Sequence, residues 1–210
     1  MSDISHTSTD ESQALLQATF HRILGDTTGA SPVAETSVRL DWIETPVGPL
    51  LAGATQSAVV LLEFSERKIL DDQVATLRRR LDAHVVPGTN RLLHKLRAQL
   101  GEYFAGERRN FELPLEYPGT GFQQRVWSTL LTIPYGDTWS HLQVARTIGD
   151  VKATRAVGTA NGMNRIAIVI PCHRVINANG ELGGYGGGLW RKRILLDLEQ
   201  GQKGLFARDE

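Results

Sequence analysis

Hydrophobic residues change their spacing several times along the chain, and each change predicts an element. Within Glu11–Leu24, the apolar positions Leu15, Leu16, Phe20, Ile23 and Leu24 recur at helical intervals, predicting a one-faced helix that ends near Gly25. Residues Asp26–Glu35 hold Thr, Gly, Ser and Pro without periodicity and read as a linker. Val38–Glu44 then alternates and turns at Pro46–Pro49. The apolar runs Leu50–Ala54 and Ala58–Phe64 follow, and the three together predict an antiparallel meander. Asp71 or Asp72 is placed to cap a helix with Val74, Leu77 and Leu81 on one face. Thr89 is placed to cap a longer one, with Leu92, Leu93, Leu96, Leu100, Tyr103 and Phe104 inward and Gly106 as its stop. Phe111–Leu115 reads as a strand or an extended exit.

The second half has a different texture. Phe122–Leu131 is amphipathic, Pro134–Trp139 is a loop, and Ser140 caps a short helix over His141–Ile148. Gly149-Asp150 turns into a second helix, Lys152–Gly162. Two short helices joined by a glycine-containing turn outline a helix-turn-helix, an outline shared with helical hairpins that never touch DNA. Arg165–Ile170 predicts a buried strand that ends at Pro171-Cys172-His173. Asn177–Gly180 is a turn, Leu182–Leu189 a glycine-rich loop, and Arg191–Glu199 a closing basic helix. The whole predicts an α+β protein: residues 1–36 a helix and linker, 37–117 an antiparallel-sheet domain, and 118–210 a mostly helical domain.

Composition narrows the class. With 210 residues, 41% of them hydrophobic and 22% charged, the chain can bury a core and is too apolar for disorder. No run of about 18 apolar residues predicts a membrane span, and the polar start Met1–Asp10 lacks the apolar core of a secretory signal, so a cytoplasmic location is expected. A single cysteine excludes an internal disulfide and a thiolate-rich zinc site, so no metal or cofactor is expected. The net charge is zero, from 23 basic and 23 acidic residues, but it is unevenly spread. Residues 1–120 carry 12 basic against 16 acidic groups; residues 121–210 carry 11 against 7. Arg125, Arg146, Lys152, Arg155, Arg165, Arg174 and the run Arg191-Lys192-Arg193 therefore leave room for a phosphate-facing surface, although solvated charge is the plainer reading of any one. No residue pattern in 37–117 suggests chemistry.

Cys172 attracts attention for its position. A lone cysteine is usually a small buried hydrophobe. This one ends an apolar run, directly after a proline that cannot donate to a ladder. His173 and Arg174 follow it, an electropositive setting that lowers a thiol from its usual value near ~8.5 and enriches the nucleophilic thiolate. Adjacent strand side chains point to opposite faces, so Cys172 and His173 cooperate only if the backbone turns there or a water bridges them. Their adjacency also argues against a protease-like arrangement, in which cysteine and histidine lie far apart in sequence.

Ile170-Pro-Cys-His-Arg-Val175 resembles the active-site signature of the O6-alkylguanine-DNA alkyltransferases. Upstream, FQQRVWSTLLTIPYGDTWSHLQVARTIGDVKATRAVGTANGMN resembles that family's helix-turn-helix with its RAVG core. Downstream, GELGGYGGGLWRKRILLDLE resembles its binding loop and last helix, so the likeness runs over roughly residues 38–200. The resemblance implies an RNase H-like N-terminal domain followed by a winged helix-turn-helix-like domain. It implies a monomer that needs no cofactor and no membrane, and that binds double-stranded DNA through the minor groove. A methyl or larger alkyl group on O6 of guanine, or on O4 of thymine, would pass irreversibly to Cys172 after base flipping. By the same resemblance His173 is a base acting through a water, Glu199 orients it and Asn164 braces the cysteine turn. Tyr185 packs near the flipped base, and Gly186 and Gly187 let backbone N–H groups approach O6. Arg155 fills the gap left in the stack. Ala153, Ala156 and Gly158 let their helix lie deep in the groove, with Lys152 and Ser140 beside them. Two positions depart from the family pattern. His141 stands where a tyrosine associated with phosphate rotation and proton donation to the base is common, which predicts sensitivity near pH ~6.5. Arg165 follows Asn164 where proline is common. The first helix resembles the last helix of an AraC-type module, so a regulator fragment is one alternative. The other is a non-catalytic alkyltransferase-like lesion binder, against which Cys172 argues, because those relatives lack the acceptor.

Overall fold

The computed structural model describes residues 18–24 and 37–201. A helix, α1, occupies 18–24; the predicted helical positions 11–17 and the predicted linker lie outside the described residues. The chain then runs β1 (Ser37–Ile43), β2 (Leu50–Ala54), β3 (Val59–Phe64), α2 (Leu70–Leu81), β4 (His84–Pro87) and α3 (Arg91–Phe104). The second half runs α4 (Gly121–Leu130), β5 (Trp139–Ser140), α5 (His141–Thr147), a 3-10 turn at Val151–Ala153 and α6 (Thr154–Gly162). It ends with a 3-10 turn at Cys172–Arg174, β6 (Val175–Ile176) and α7 (Leu189–Glu199). The architecture is the expected α+β one.

β1, β2 and β3 form the predicted antiparallel meander, with Leu40 opposite Gly53 and Ala52 opposite Leu62. A fourth strand, β4, joins the far edge parallel to β1, giving the order β3-β2-β1-β4. It has four residues and ends in Pro87, a composition that only an edge position tolerates, so the sequence pattern does not announce it. One face of the sheet carries Val38, Leu40, Leu51 and Leu61 against α2, with Ile23 of α1 in the same cluster. The other carries Leu50, Ala52, Leu62 and Phe64 against α3 and the second half, in a single core that runs on through Trp127, Val157, Ile170 and Leu195.

Two caps differ from expectation. Asn90, not Thr89, caps α3: its Oδ1 accepts from Leu93 N at 3.0 Å while its Nδ2 donates to Thr55 O at 2.9 Å. An amide can accept at the helix and donate to the β2–β3 turn, which a hydroxyl of threonine's length does less well. α2 has no side-chain cap, because tight backbone bonds after β3 (Arg67 N to Phe64 O, Leu70 N to Arg67 O) lead directly into it. Asp71 and Asp72 sit in its first turn, where negative charge favours the helix dipole.

The predicted strand at Arg165–Ile170 does not form. Only Ile166 pairs, in a parallel bridge to Leu62, through Leu62 N to Arg165 O at 2.8 Å and Ala167 N to Leu62 O at 2.7 Å. This bridge covers the open edge of β3, as Leu115 does further along at Val59. Beyond Ala167 the chain coils, with Ile170 N bonded back to Ile166 O and Ile168 held at φ 70. A β-branched residue in the left-handed region is a strained conformation that surrounding contacts must enforce. Asn164 enforces it: its Oδ1 accepts from Ile166 N at 3.0 Å and its Nδ2 donates to Ile170 O at 2.9 Å, taking over bonds that a partner strand would have made.

Candidate active site

The coil of 165–171 ends in the 3-10 turn that holds Cys172, and Arg174 N closes the turn on Pro171 O at 3.0 Å. The backbone thus turns at the Cys-His pair, as cooperation between the two side chains requires. Asn164 Nδ2 also donates to Cys172 Sγ at 3.1 Å, so one amide both shapes the turn and touches the thiol. Asn161, from α6, donates to Cys172 O at 3.3 Å.

Behind the cysteine, His173 is fully buried and its Nε2 lies 2.8 Å from Glu199 Oε1 on α7. Glu199 accepts four further bonds: from Tyr103 OH at 2.8 Å, Arg174 Nε at 2.8 Å, Arg174 Nη2 at 3.0 Å and Gly136 N at 3.1 Å. Burial alone would push the Glu199 carboxyl up, but the hydrogen bonds from His173 and Arg174 and the Arg174 charge outweigh it and hold the group well below the usual carboxylate range. Burial pushes His173 down from its ordinary value, against the pull of Glu199, so the imidazole is neutral. With Nε2–H donating to the carboxylate, Nδ1 is the free lone pair, and that buried atom has no protein partner.

The thiol is not in the state its neighbours in sequence suggest. Burial pushes Cys172 up from its ordinary value, with the Asn164 bond and the charges of Arg67 and Lys192 only partly opposing. Adjacent cationic residues did not lower it, because the Arg174 guanidinium is spent on Glu199 and Ile133 O while His173 is uncharged. A neutral thiol beside a neutral imidazole is a pair that ionises when a proton is moved between them.

Cys172 opens onto a cavity of about 340 Å³, within the range of small-molecule pockets. Tyr185, Gly186 and Gly187 of the glycine-rich loop form one wall; His141 of α5 and Gly158 of α6 form another. Tyr185 packs edge-on to Phe64 with ring centroids 6.2 Å apart, and its buried hydroxyl has no partner. At Gly158, facing His141, a Cβ would meet His141 Cδ2 at 3.5 Å, an ordinary contact, so space alone does not demand glycine there. Burial and the charge of Lys192 lower His141 from its ordinary value.

The remaining predicted residues divide. Lys152, Arg155 and Ala156 are exposed on one face of α6 and its 3-10 lead, with Ala153 half-buried beside them. Ser140 caps α5, its Oγ accepting from Gln143 N at 3.2 Å while Gln143 reaches back to Ser140 N. The basic run of the last helix is not a phosphate-facing surface. Lys192 is fully buried, with Nζ donating to Val175 O at 2.6 Å and also to Leu182 O. Arg191 is buried too, its Nε on Val47 O at 2.5 Å and its Nη1 on Gly187 O at 2.8 Å. Both strap the glycine-rich loop to the core; burial lowers Lys192 to about 8. Of that run only Arg193 is exposed.

Sequence reasoning found no chemistry in 37–117, yet Glu63, Phe64 and Arg67 line the cavity and Tyr103 bonds the carboxylate behind it. The available signal was Glu63, a carboxylate inside an otherwise apolar strand.

Comparison with known proteins places these features in context. The family model described as 6-O-methylguanine DNA methyltransferase, ribonuclease-like domain, matches residues 38–117, and that described as 6-O-methylguanine DNA methyltransferase, DNA binding domain, matches residues 121–201. A methylated-DNA–protein-cysteine methyltransferase of Mycobacterium tuberculosis is 46% identical over 158 residues, covering 75% of this chain and 90% of that one. A protein of the same name from Methanosarcina acetivorans is 40% identical over 160 residues, covering 74% of this chain and 94% of its own. Among solved structures, the Mycobacterium tuberculosis OGT in complex with DNA superimposes with a TM-score of 0.67 at 45% identity, covering 79% of this chain and 94% of that one.

Proposed function

This chain belongs to the 6-O-methylguanine DNA methyltransferase family, and on that premise we propose how its own residues carry out the family's reaction. The protein is a DNA-repair alkyltransferase: it takes an alkyl group from O6 of guanine in double-stranded DNA onto its own cysteine. The acceptor is Cys172. The single observation that carries this assignment is its sulfur at the cavity wall, bonded by Asn164 and backed by the His173–Glu199 pair.

The thiol proton passes through a bridging water to His173 Nδ1, and the resulting imidazolium is stabilised by Glu199, which is already ionised. As the proton leaves, sulfur attacks the alkyl carbon. The S–C bond forms while the C–O6 bond breaks, and the bonding pair stays on the purine. The proton held on His173 returns through solvent to the purine, against which His141 in the cavity wall offers an N–H hydrogen bond, and the restored guanine goes back to the duplex with its bond to the sugar intact. The product thioether has no good leaving group, so each molecule acts once. Burial that raises the thiol also excludes water from competing for the alkyl group.

Arg155, with Lys152 and Ala156 on the same exposed face, meets the duplex. Its long cationic side chain takes the place of the extruded base and offsets part of the few kcal/mol of unstacking. O4-alkylthymine presents a similar alkyl ether and is a second substrate. A substrate that is chromosomal DNA supports a cytoplasmic location, and among the described residues no helix is long and apolar enough to cross a membrane.

Incubation with a duplex carrying O6-methylguanine, followed by digestion and mass spectrometry, tests the reading. A single methyl on the Cys172 peptide, with one lesion repaired per protein molecule, is the expected result. An unmodified Cys172 peptide, or repaired DNA in catalytic excess over protein, would overturn it.

A further inference from the structure

The cavity contains a charged pair that the transfer chemistry does not use. Glu63, near the end of β3, has a side chain wholly removed from solvent. Its Oε2 accepts from Arg67 Nη1 at 2.6 Å and Gln73 Nε2 at 2.9 Å, and its Oε1 accepts from Phe64 N at 2.9 Å. Burial pushes the Glu63 carboxyl up and the Arg67 charge opposes that, so the carboxylate is held where it is by its partner. A buried carboxylate fixed by three donors is a rigid anchor.

That anchor fixes the guanidinium of Arg67, whose second arm reaches the opposite half of the molecule. Nη2 donates to Gly162 O at 3.0 Å, at the C-terminal end of α6, where the helix dipole favours a cation. The same guanidinium lies against Gly186: a Cβ there would be 2.3 Å from Arg67 Cζ, so this loop position must be glycine for the arginine to lie where it does. Gly162 and Gly186 belong to the two facing walls of the cavity onto which Cys172 opens, and Arg67 itself lines it. One side chain from the turn after β3 thus bars the cavity between both walls of the DNA-binding half.

We propose that Arg67, locked by Glu63, is a specificity-determining residue that limits the size of the O6 substituent the cavity accepts. This rests on the alkyl-transfer reading above. A methyl group adds little volume to the purine and clears the guanidinium; a benzyl group needs space that the bar between α6 and the glycine-rich loop denies. Rigidity makes the limit sharp, because moving Arg67 leaves Glu63 buried without its counter-charge.

The test measures rates of Cys172 alkylation by intact mass, using duplexes that carry either O6-methylguanine or O6-benzylguanine, for the wild type, Arg67→Lys and Arg67→Ala. Arg67→Lys keeps a cation for Glu63 but lacks the planar fork that reaches two anchors at once. In both variants the methyl-over-benzyl preference is expected to fall at least about tenfold, through faster benzyl transfer, with the methyl rate within a few-fold of wild type. An unchanged ratio, an equal fall in both rates, or loss of folding in both variants would overturn the proposal and leave Arg67 a structural residue. Failure of the wild type to accept methyl from the first duplex would instead strike the functional reading itself.

Discussion

Glu199→Gln isolates the carboxylate that organises the relay. The substitution preserves shape and removes one oxygen and the charge. In the wild type Oε1 accepts from Tyr103, His173 and Arg174 Nη2, while Oε2 accepts from Gly136 N and Arg174 Nε. If the glutamine oxygen takes the first position, its NH2 faces the N–H groups of Gly136 and Arg174, replacing two bonds with donor–donor contacts. Arg174, itself buried, is left without its counter-charge. Breaking one side of a buried pair costs about 3–5 kcal/mol, and that loss is expected in urea unfolding at neutral pH. The imidazolium formed on His173 during transfer would lose its stabilising charge, slowing alkylation about 10²- to 10⁴-fold. Single-turnover intact-mass kinetics with an O6-methylguanine duplex reads the rate. The stability gap also carries a pH signature. Because the folded carboxyl is held below its unfolded value of ~4.3, its contribution is present above that pH and lost as pH falls through the folded value, so the gap between wild type and variant narrows in acid. A variant within about 1 kcal/mol of wild type and within about threefold in rate would refute the relay as described.

Three further outcomes are expected. Asn164→Ala leaves the buried Ile166 N–H and Ile170 O without the amide and removes the bond to Sγ, so unfolding free energy should drop by about 2–3 kcal/mol and alkylation should slow; unchanged stability would detach Asn164 from the strained turn. His141 is lowered from its ordinary value, so a proton-linked change in rate is expected on the acid side of ~6.5 and should vanish in His141→Tyr; its persistence would assign it to His173, which burial also lowers. Arg155→Ala removes an exposed side chain, so stability should stay within about 0.5 kcal/mol; duplex repair should fall at least about tenfold while transfer from the free O6-methylguanine base holds, and equal loss on both substrates would remove its role in the stack.

Much of this was legible before any coordinates. Apolar alternation marked β1, continuous apolar runs marked β2 and β3, and helical spacing marked α3 with Leu92, Leu93, Leu96, Leu100, Tyr103 and Phe104 inward, all of them buried except Leu92, which is partly buried. These elements are specified by residues a few positions apart, where the periods of strand and helix apply. The proline-cysteine-histidine stretch stood out because a thiol, an imidazole and a ladder-breaking residue share three adjacent positions. The readings that failed were of one kind. Arg165–Ile170 looks like a strand by content, and Arg191-Lys192 looks like solvated charge. In each case a distant partner decides otherwise: Asn164 and Leu62 take the backbone bonds of the first, and carbonyls of Val47, Val175 and Gly187 take the donors of the second.

The protonation of the site belongs to the same class of fact. Local sequence surrounds Cys172 with a histidine and an arginine and argues for a lowered thiol, whereas desolvation acts through everything packed above the sulfur and raises it. Sequence alone therefore singled out Cys172 as the proposed nucleophile, set His173 beside it as the proposed base, and determined the order of elements that carry them. Tertiary structure decided that the thiol rests neutral, that Tyr103 and Glu63 of the first half take part in the site, and that an arginine bars the cavity. Pattern along a chain encodes near neighbours, while burial, dielectric and clearance arise only when segments about 100 residues apart come to share a wall.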